Sequence, residues 1–356
     1  MINVTKTFLP DYDLYAATLK RAWDKAWITN NGELVQELEA KLKAYLGVKH
    51  LLFTTNGTIV LQMALKAFEI TGEVITTPFS YVATTNAILW EGCTPVFVDI
   101  NTSNFCLNEF LIEKSITEKT QAILATHVYG YPCEIEKIEK IAQKHSLKVI
   151  YDGAHSFGCM YKGKSLLSYG DISTCSFHAT KIFHTVEGGC IITNNDEIAE
   201  KLMLFRQFGH VYDDYQSVGV NAKNSEFHAA MGLCVLKEID TIIERRKAIY
   251  TRYTENLRSD VLQIPVLPVD FTYNYSYYPV VFDSEIKLLA VKEALQAQQV
   301  NTRRYFYPSL NQLHFVDGAS CPESESISSR VLCLPIYFDL EISDVDRISA
   351  IVNTIV

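Results

Sequence analysis

The chain has 356 residues, 48% of them hydrophobic, and a formal net charge of -9. That is apolar material for a large core in about two or three domains, while an acidic chain without a long Lys/Arg run is ill suited to polymeric nucleic acid or an anionic membrane. Nine scattered cysteines with no CxxC argue against zinc and against a disulfide framework, and a small phosphorylated ligand remains possible because a few N–H groups and cations suffice to bind it.

The opening MINVTKTFLPDYD is polar and holds no apolar signal segment. A helical pattern follows in DYDLYAATLKRAWDKAW. After Thr29-Asn30-Asn31-Gly32 a second runs through ELVQELEAKLKAYL and stops at Gly47, a residue suited to a helix C-terminus. From there short β-rich runs alternate with helical ones. HLLFTT precedes GTIVLQMALKAFEI, EVITTP precedes SYVATTNAILWEG, and PVFVDI precedes a helix near Asn108–Ser115. QAILATHV precedes CEIEKIEKIAQKHS, and LKVIYDGA and ISTCSF follow. Apolar strands alternating with helices predict an α/β unit with a mostly parallel central sheet flanked by helices, a large domain over residues 1–240.

Beyond Asn195, NNDEIAEKLMLFRQFGH reads as a helix. SEFHAAMGLCVLKEIDTIIERRKAIYTRYTENL reads as one long helix bridging to a smaller C-terminal α+β domain over residues 241–356. That domain holds the strand-like YYPVVFD, the helix EIKLLAVKEALQAQQV, an aromatic loop RRYFYPSL and a last helix from about Ser343. The aromatic run Phe271 to Tyr278 reads as strand and interface packing. No apolar run approaches membrane-spanning length, so the expected setting is the cytoplasm.

In sheets of this kind ligands bind beyond the carboxyl ends of the strands. Asn56-Gly57-Thr58 ends the first strand and opens a helix, where free N–H groups and the Thr58 hydroxyl make either an anion site or a plain turn. Tyr81 sits at the next helix start, its ring either lining a crevice or packed in the core. Asp152 ends an apolar strand, where a carboxylate needs a partner or caps the following turn. Ser176 ends another strand, and Lys181 lies in the loop SFHATKIFHTVEGG. A lysine on a loop is ordinarily solvated, but a desolvated one loses its preference for charge and attacks aldehydes. The set matches the needs of pyridoxal 5'-phosphate (PLP): an anchor for the phosphate, a plate over the ring, a carboxylate for the ring nitrogen and an amine for the aldehyde.

His178 and His184 flank Lys181 as loop support or substrate contacts, without ligand spacing for a metal. Glu187 precedes a tight Gly188-Gly189 turn and is a candidate substrate contact. Arg303 and Arg304 either meet a diphosphate or are solvated, and Tyr305 and Tyr307 either touch a sugar nucleotide or pack.

The order and spacing of WITNNGELVQELE, NGTIVLQMAL, TTPFSYVATTNAI, CTPVFVDI, VIYDGAHSFG, ISTCSFHATKIFHTVEGG and GVNAKNSEFHAAMG resemble the DegT/DnrJ/StrS family of nucleotide-sugar aminotransferases. These are PLP enzymes of the aspartate-aminotransferase fold (fold type I), and the resemblance runs through nearly the whole chain. It implies that Lys181 holds the cofactor aldehyde and moves protons, that Asp152 pairs with the pyridine nitrogen, and that Tyr81 lies against the ring. Gly57, Thr58 and Ser176 would hold the phosphate, His155 would lie near the phenolic oxygen, and Asn221 would reach the phosphate of a neighbouring subunit in a homodimer with shared active sites. Arg304, Tyr305, Tyr307 and Glu187 are the expected sugar-nucleotide contacts.

The implied reaction moves the amino group of L-glutamate, by way of pyridoxamine phosphate (PMP), to a nucleotide-linked keto-deoxysugar. The branch resembled most aminates C4 of dTDP-4-dehydro-6-deoxy-D-glucose, giving dTDP-4-amino-4,6-dideoxy-D-glucose for surface polysaccharide and O-antigen lipopolysaccharide. The alternatives are amination at C3 of a dTDP-3-keto-6-deoxyhexose, a PLP/PMP sugar dehydratase, against which Lys181 speaks, and a non-catalytic regulatory member. The chain departs from the family pattern at Gly153, at His228 and at Asn311, the last in the loop expected near the sugar.

Overall fold

The computed structural model describes residues 1–356. Seven strands form the central sheet: β1 (His50–Thr54), β2 (Glu73–Thr76), β3 (Thr94–Phe97), β4 (Thr120–Thr126), β5 (Lys148–Asp152), β6 (Ile172–Ser176) and β7 (Gly189–Thr193). Their order across the sheet is β1-β7-β6-β5-β4-β2-β3. The pairs from β3 to β6 are parallel, as the alternation of apolar runs and helices predicts. β7 alone runs against its neighbours β6 and β1. The chain returns from β6 to β7 through a loop with no crossover helix, and such a direct return reverses the strand.

Both faces of the sheet are covered. Along β4, Ile123 and Ala125 face one core, shared with Val149, Val280 and Ile348, while Ala122 and Leu124 face another, shared with Val60, Ile150 and Leu202. The strict alternation within uniformly apolar strands is what two-sided burial requires. All nine cysteines are buried thiols in this packing. No helix is long and apolar enough to cross a membrane.

The long helix expected after Ser225 is two, Glu226–Lys237 and Ile239–Asn256, broken at Glu238 with φ -102° and ψ 0°. The first half packs on the helices Tyr12–Trp23 and Glu33–Leu46, the second on Ile342–Ile355, so each has its own packing partners. C-terminal to it, Tyr278–Val281 pairs antiparallel with Val331–Leu334. That second strand and the preceding helix Pro322–Arg330 have no counterpart in the sequence pattern. Ser324 and Ser328 occupy buried positions of the helix, which hides its apolar period. The polar N-terminus also has a place: Ile2 pairs with Val300, and the following residues cross beneath the loop that carries Lys181.

Candidate active site

The carboxyl ends of β1, β4, β5 and β6 open into a cavity of about 290 Å³. Its wall includes Gly57, Thr58, Tyr81, Asp152, His155, Ser176, Lys181, Glu187 and Tyr305, so most of the expected site residues converge there.

At the β1 end, Asn56 caps the helix Ile59–Ala67. Its Oδ1 accepts from the N–H groups of Thr58 (3.0 Å) and Ile59 (2.9 Å). These donors, expected to be free for an anion, are therefore satisfied within the chain, and the Thr58 and Ser176 hydroxyls with the Gly57 backbone remain to face the cavity. Gly57 lies close on Ser176: a Cβ there would stand 2.6 Å from the serine Cβ and 2.9 Å from its Oγ. The cradle exists because that side chain is missing.

Asp152 is 6% exposed at the end of β5. Its Oδ2 accepts from the Thr84 hydroxyl at 2.7 Å and its Oδ1 from Ala154 N–H at 3.1 Å. Burial raises its pKa, opposed by these two donors and by the charge of Lys181. Burial correspondingly lowers the pKa of Lys181, opposed chiefly by Asp152. Lys181 thus faces the cavity as an amine whose neutral form is favoured by desolvation. Gly153, a departure from the family pattern, is dictated by space: a Cβ would stand 2.3 Å from Leu167 Cδ2.

His155 is buried with its Nδ1 accepting from Tyr129 N–H at 3.1 Å, which places the proton on Nε2. Burial, and secondarily Lys181, pushes its pKa well below the ordinary value, so it is a neutral donor. Its ring is parallel to Phe306 (centroids 5.8 Å) and edge-on to Tyr277 (4.7 Å). Tyr277 lines the cavity, a role beyond the packing expected of the aromatic run. Tyr81, 56% exposed, forms the outer wall.

The loop from β6 to β7 is tied at its neck by Phe177 N–H to Gly188 O (2.8 Å) and Thr185 N–H to Phe177 O (2.9 Å). Phe177 and Phe183 anchor it in an aromatic cluster with Phe157. The two histidines divide. Buried His184 donates from Nε2 to Phe8 O (2.6 Å) and accepts Val186 N–H at Nδ1 (3.2 Å), tying the N-terminal segment to the loop. His178 accepts Thr180 N–H at Nδ1 (3.2 Å) and turns Nε2 toward Glu187 Oε1, 3.6 Å away, both on the cavity wall. Between them Val186 holds φ 69°, a left-handed conformation that strains a β-branched residue and aims Glu187 inward.

The C-terminal wall corrects the arginine assignment. Arg304 points away, donating to Glu285 Oε1 (2.7 Å) and Ser329 O (2.9 Å) and lying 3.5 Å over the ring of Tyr307, so neither Arg304 nor Tyr307 lines the cavity. Arg303 lines it instead, over the ring of Tyr305 at 5.0 Å, with no carboxylate partner. Tyr129 Oη donates to Tyr305 O and fixes that segment. Asn311 is buried away from the cavity, bonded to Ala319 O and Glu325, and His228 is bonded to Ser225, so both departures are local ties. Asn221 lies on the surface outside its own chain's cavity and accepts from Lys223 Nζ at 2.7 Å.

Ser80 and Thr126, also on the wall, are site residues that sequence reasoning missed, as is Thr84. The only signal was the spacing of Ser80 and Thr84, one helical turn apart.

The residues present fit PLP: a glycine-opened hydroxyl cradle, a buried carboxylate, a neutral imidazole N–H donor and a desolvated lysine share one wall, each matching one polar group of that cofactor. Fold and site together define an aminotransferase. Residues 13–353 match the DegT/DnrJ/EryC1/StrS aminotransferase family, and the chain belongs to it. Among its relatives is the dTDP-4-amino-4,6-dideoxy-D-glucose transaminase of Escherichia coli, 40% identical over 95% of this chain and 94% of that protein. The protein of the same name from Shigella dysenteriae is 39% identical over 99% and 98%. In three dimensions the chain superposes on the crystal structure of DesI, determined in the presence of its TDP-sugar product, with a TM-score of 0.94 at 32% identity, covering 99% of this chain and 92% of that one.

Proposed function

We propose that this protein transfers the amino group of L-glutamate to C4 of dTDP-4-dehydro-6-deoxy-D-glucose, giving dTDP-4-amino-4,6-dideoxy-D-glucose. The observation that carries the reading is Lys181, desolvated and facing the same cavity as Asp152 and the Gly57-Thr58-Ser176 cradle. The choice of sugar is supported by the two relatives of that name.

PLP, when bound, supplies an aldehyde to carry nitrogen as PMP and a ring to absorb electrons from the reacting carbon. The chain's residues do the rest. Gly57, Thr58 and Ser176 hold the phosphate, and Asp152 keeps the pyridine nitrogen protonated. His155 donates from Nε2 to the phenolic oxygen, and Tyr81 covers the ring. Lys181 in its neutral form takes a proton from the donor carbon and returns one to the sugar carbon. Arg303 meets the diphosphate, in place of Arg304. Glu187, braced by His178, and Tyr305 face the sugar.

The reading includes a homodimer in which Asn221 reaches the phosphate of the partner. It also includes a division into residues 1–240 and 241–356, and a cytoplasmic role in supplying surface polysaccharide. Retention of Lys181 disfavours the dehydratase and regulatory alternatives. The test is formation of 2-oxoglutarate from L-glutamate that depends on the keto-sugar and disappears in Lys181→Ala. No sugar-dependent 2-oxoglutarate would refute it.

A further inference from the structure

Three buried hydroxyls, each from a different segment, run in series to Asp152. Thr126 at the end of β4 donates to Ser80 Oγ at 3.2 Å. Ser80, in the turn after β2, lies 2.9 Å from Thr84 Oγ1, and Thr84, in the first turn of helix Ala83–Trp90, donates to Asp152 Oδ2 at 2.7 Å. The direction of the series follows from chemistry. An ionised carboxylate only accepts, so Thr84 gives its single O–H to Asp152. Thr84 Oγ1 can then only accept from Ser80, and Ser80 only from Thr126. All three O–H dipoles therefore point the same way, toward the carboxylate. Bonds in such chains strengthen one another in a low-dielectric interior, and donation to a charged group favours its charged form. Apart from this series, Asp152 has one donor, the N–H of Ala154.

We propose that Thr126, Ser80 and Thr84 form a one-way hydroxyl relay that holds Asp152 ionised and turned toward the pyridine nitrogen, making Thr84 and Ser80 positioning residues for amino transfer. The inference rests on the proposed placement of that nitrogen at Asp152. A lone Thr84 contact would act by itself, whereas a relay transmits an effect that fades with distance from the carboxylate.

The experiment loads the protein with PLP labelled with ¹⁵N in the ring and reads the nitrogen resonance by NMR, alongside PLP affinity by titration of the cofactor-free protein. Thr84→Val is expected to move the resonance toward the deprotonated value and to weaken PLP about ten- to hundredfold, the scale of one hydrogen bond to a charged group. Thr84→Ser restores both. Ser80→Ala moves them the same way by less, and Thr126→Val by least. Asp152→Asn moves the resonance furthest. If Asp152→Asn shifts it and Thr84→Val does not, the relay is wrong while the placement of the nitrogen stands. If Asp152→Asn leaves it unmoved, the placement itself fails. Should Thr84→Val not fold, the order of the other two decides: a Thr126→Val effect equal to or larger than that of Ser80→Ala overturns the relay.

Discussion

Replacing Gly57 by alanine tests the phosphate cradle at a single atom. The new Cβ would lie 2.6 Å from Ser176 Cβ, 2.9 Å from its Oγ and 3.1 Å from its Cα. Carbon atoms rest about 3.5–4.0 Å apart, so the turn after β1 and the end of β6 must separate by roughly an ångström at the cavity edge. Overpacking of this kind costs about 1–3 kcal/mol. Part of the cost falls on the fold, and part on the geometry of the Thr58 and Ser176 hydroxyls, because the displaced atoms are those of Ser176 itself. PLP affinity, read by absorbance titration of the cofactor-free protein, should drop about ten- to hundredfold. Affinity for pyridoxal, which lacks the phosphate, should change much less. Ser176→Gly in the same chain removes the clashing Cβ and should return melting temperature toward wild type without restoring PLP affinity, since the Ser176 hydroxyl is gone. Wild-type PLP affinity in Gly57→Ala, or an equal loss for pyridoxal, would refute the cradle.

Further predictions concern charge and strain. Asp152 has its folded pKa raised above the unfolded value of 3.8, so its favourable contribution is complete below that value and is lost as pH rises through the folded pKa. Asp152→Asn should therefore melt higher than wild type near pH 7 in the cofactor-free state, lose that advantage below pH 3.8, and lose activity by orders of magnitude; thermal scans across pH check it. Arg303→Ala should raise KM for the nucleotide sugar about tenfold or more with little change in kcat. Arg304→Ala should leave KM alone and lower stability by about 1–2 kcal/mol through loss of its bonds to Glu285 and Ser329. Val186→Gly should stabilise the protein by roughly 0.5–1 kcal/mol, relief of left-handed strain exceeding the added freedom of the unfolded chain, and should raise KM as Glu187 loses its fixed direction.

Much of the site was legible because parallel strands end on one edge. Gly57, Thr58, Asp152 and Ser176 each follow or close an apolar run, and topology alone brings such positions together. Lys181 was legible through its company: nothing local distinguishes it from a surface lysine, and it is the complementary contacts offered by Gly57, Thr58, Tyr81, Asp152 and Ser176 that single it out, whereas the anchoring of its loop by Phe177, Ile182 and Phe183 shows only in the packing. What stayed hidden depended on tertiary direction. Arg303 and Arg304 are adjacent in irregular backbone, where no period says which one faces inward. Beyond the four-residue spacing of Ser80 and Thr84, the hydroxyl series carries no pattern of its own, because its links to Thr126 and Asp152 join distant segments. The break at Glu238 follows from the two bodies that the helices pack against, and nothing in the residue itself announces it.

The central claim is that nitrogen passes from glutamate to C4 of the sugar through a site built on Lys181. It is tested most directly by incubating the protein and PLP with ¹⁵N-labelled L-glutamate and dTDP-4-dehydro-6-deoxy-D-glucose, then reading the product by NMR. The prediction is a ¹⁵N-bearing amine at C4 of a 4,6-dideoxy sugar, formed by the wild type and not by Lys181→Ala. Label at C3, a deoxygenated product without nitrogen, or unaltered keto-sugar would contradict it.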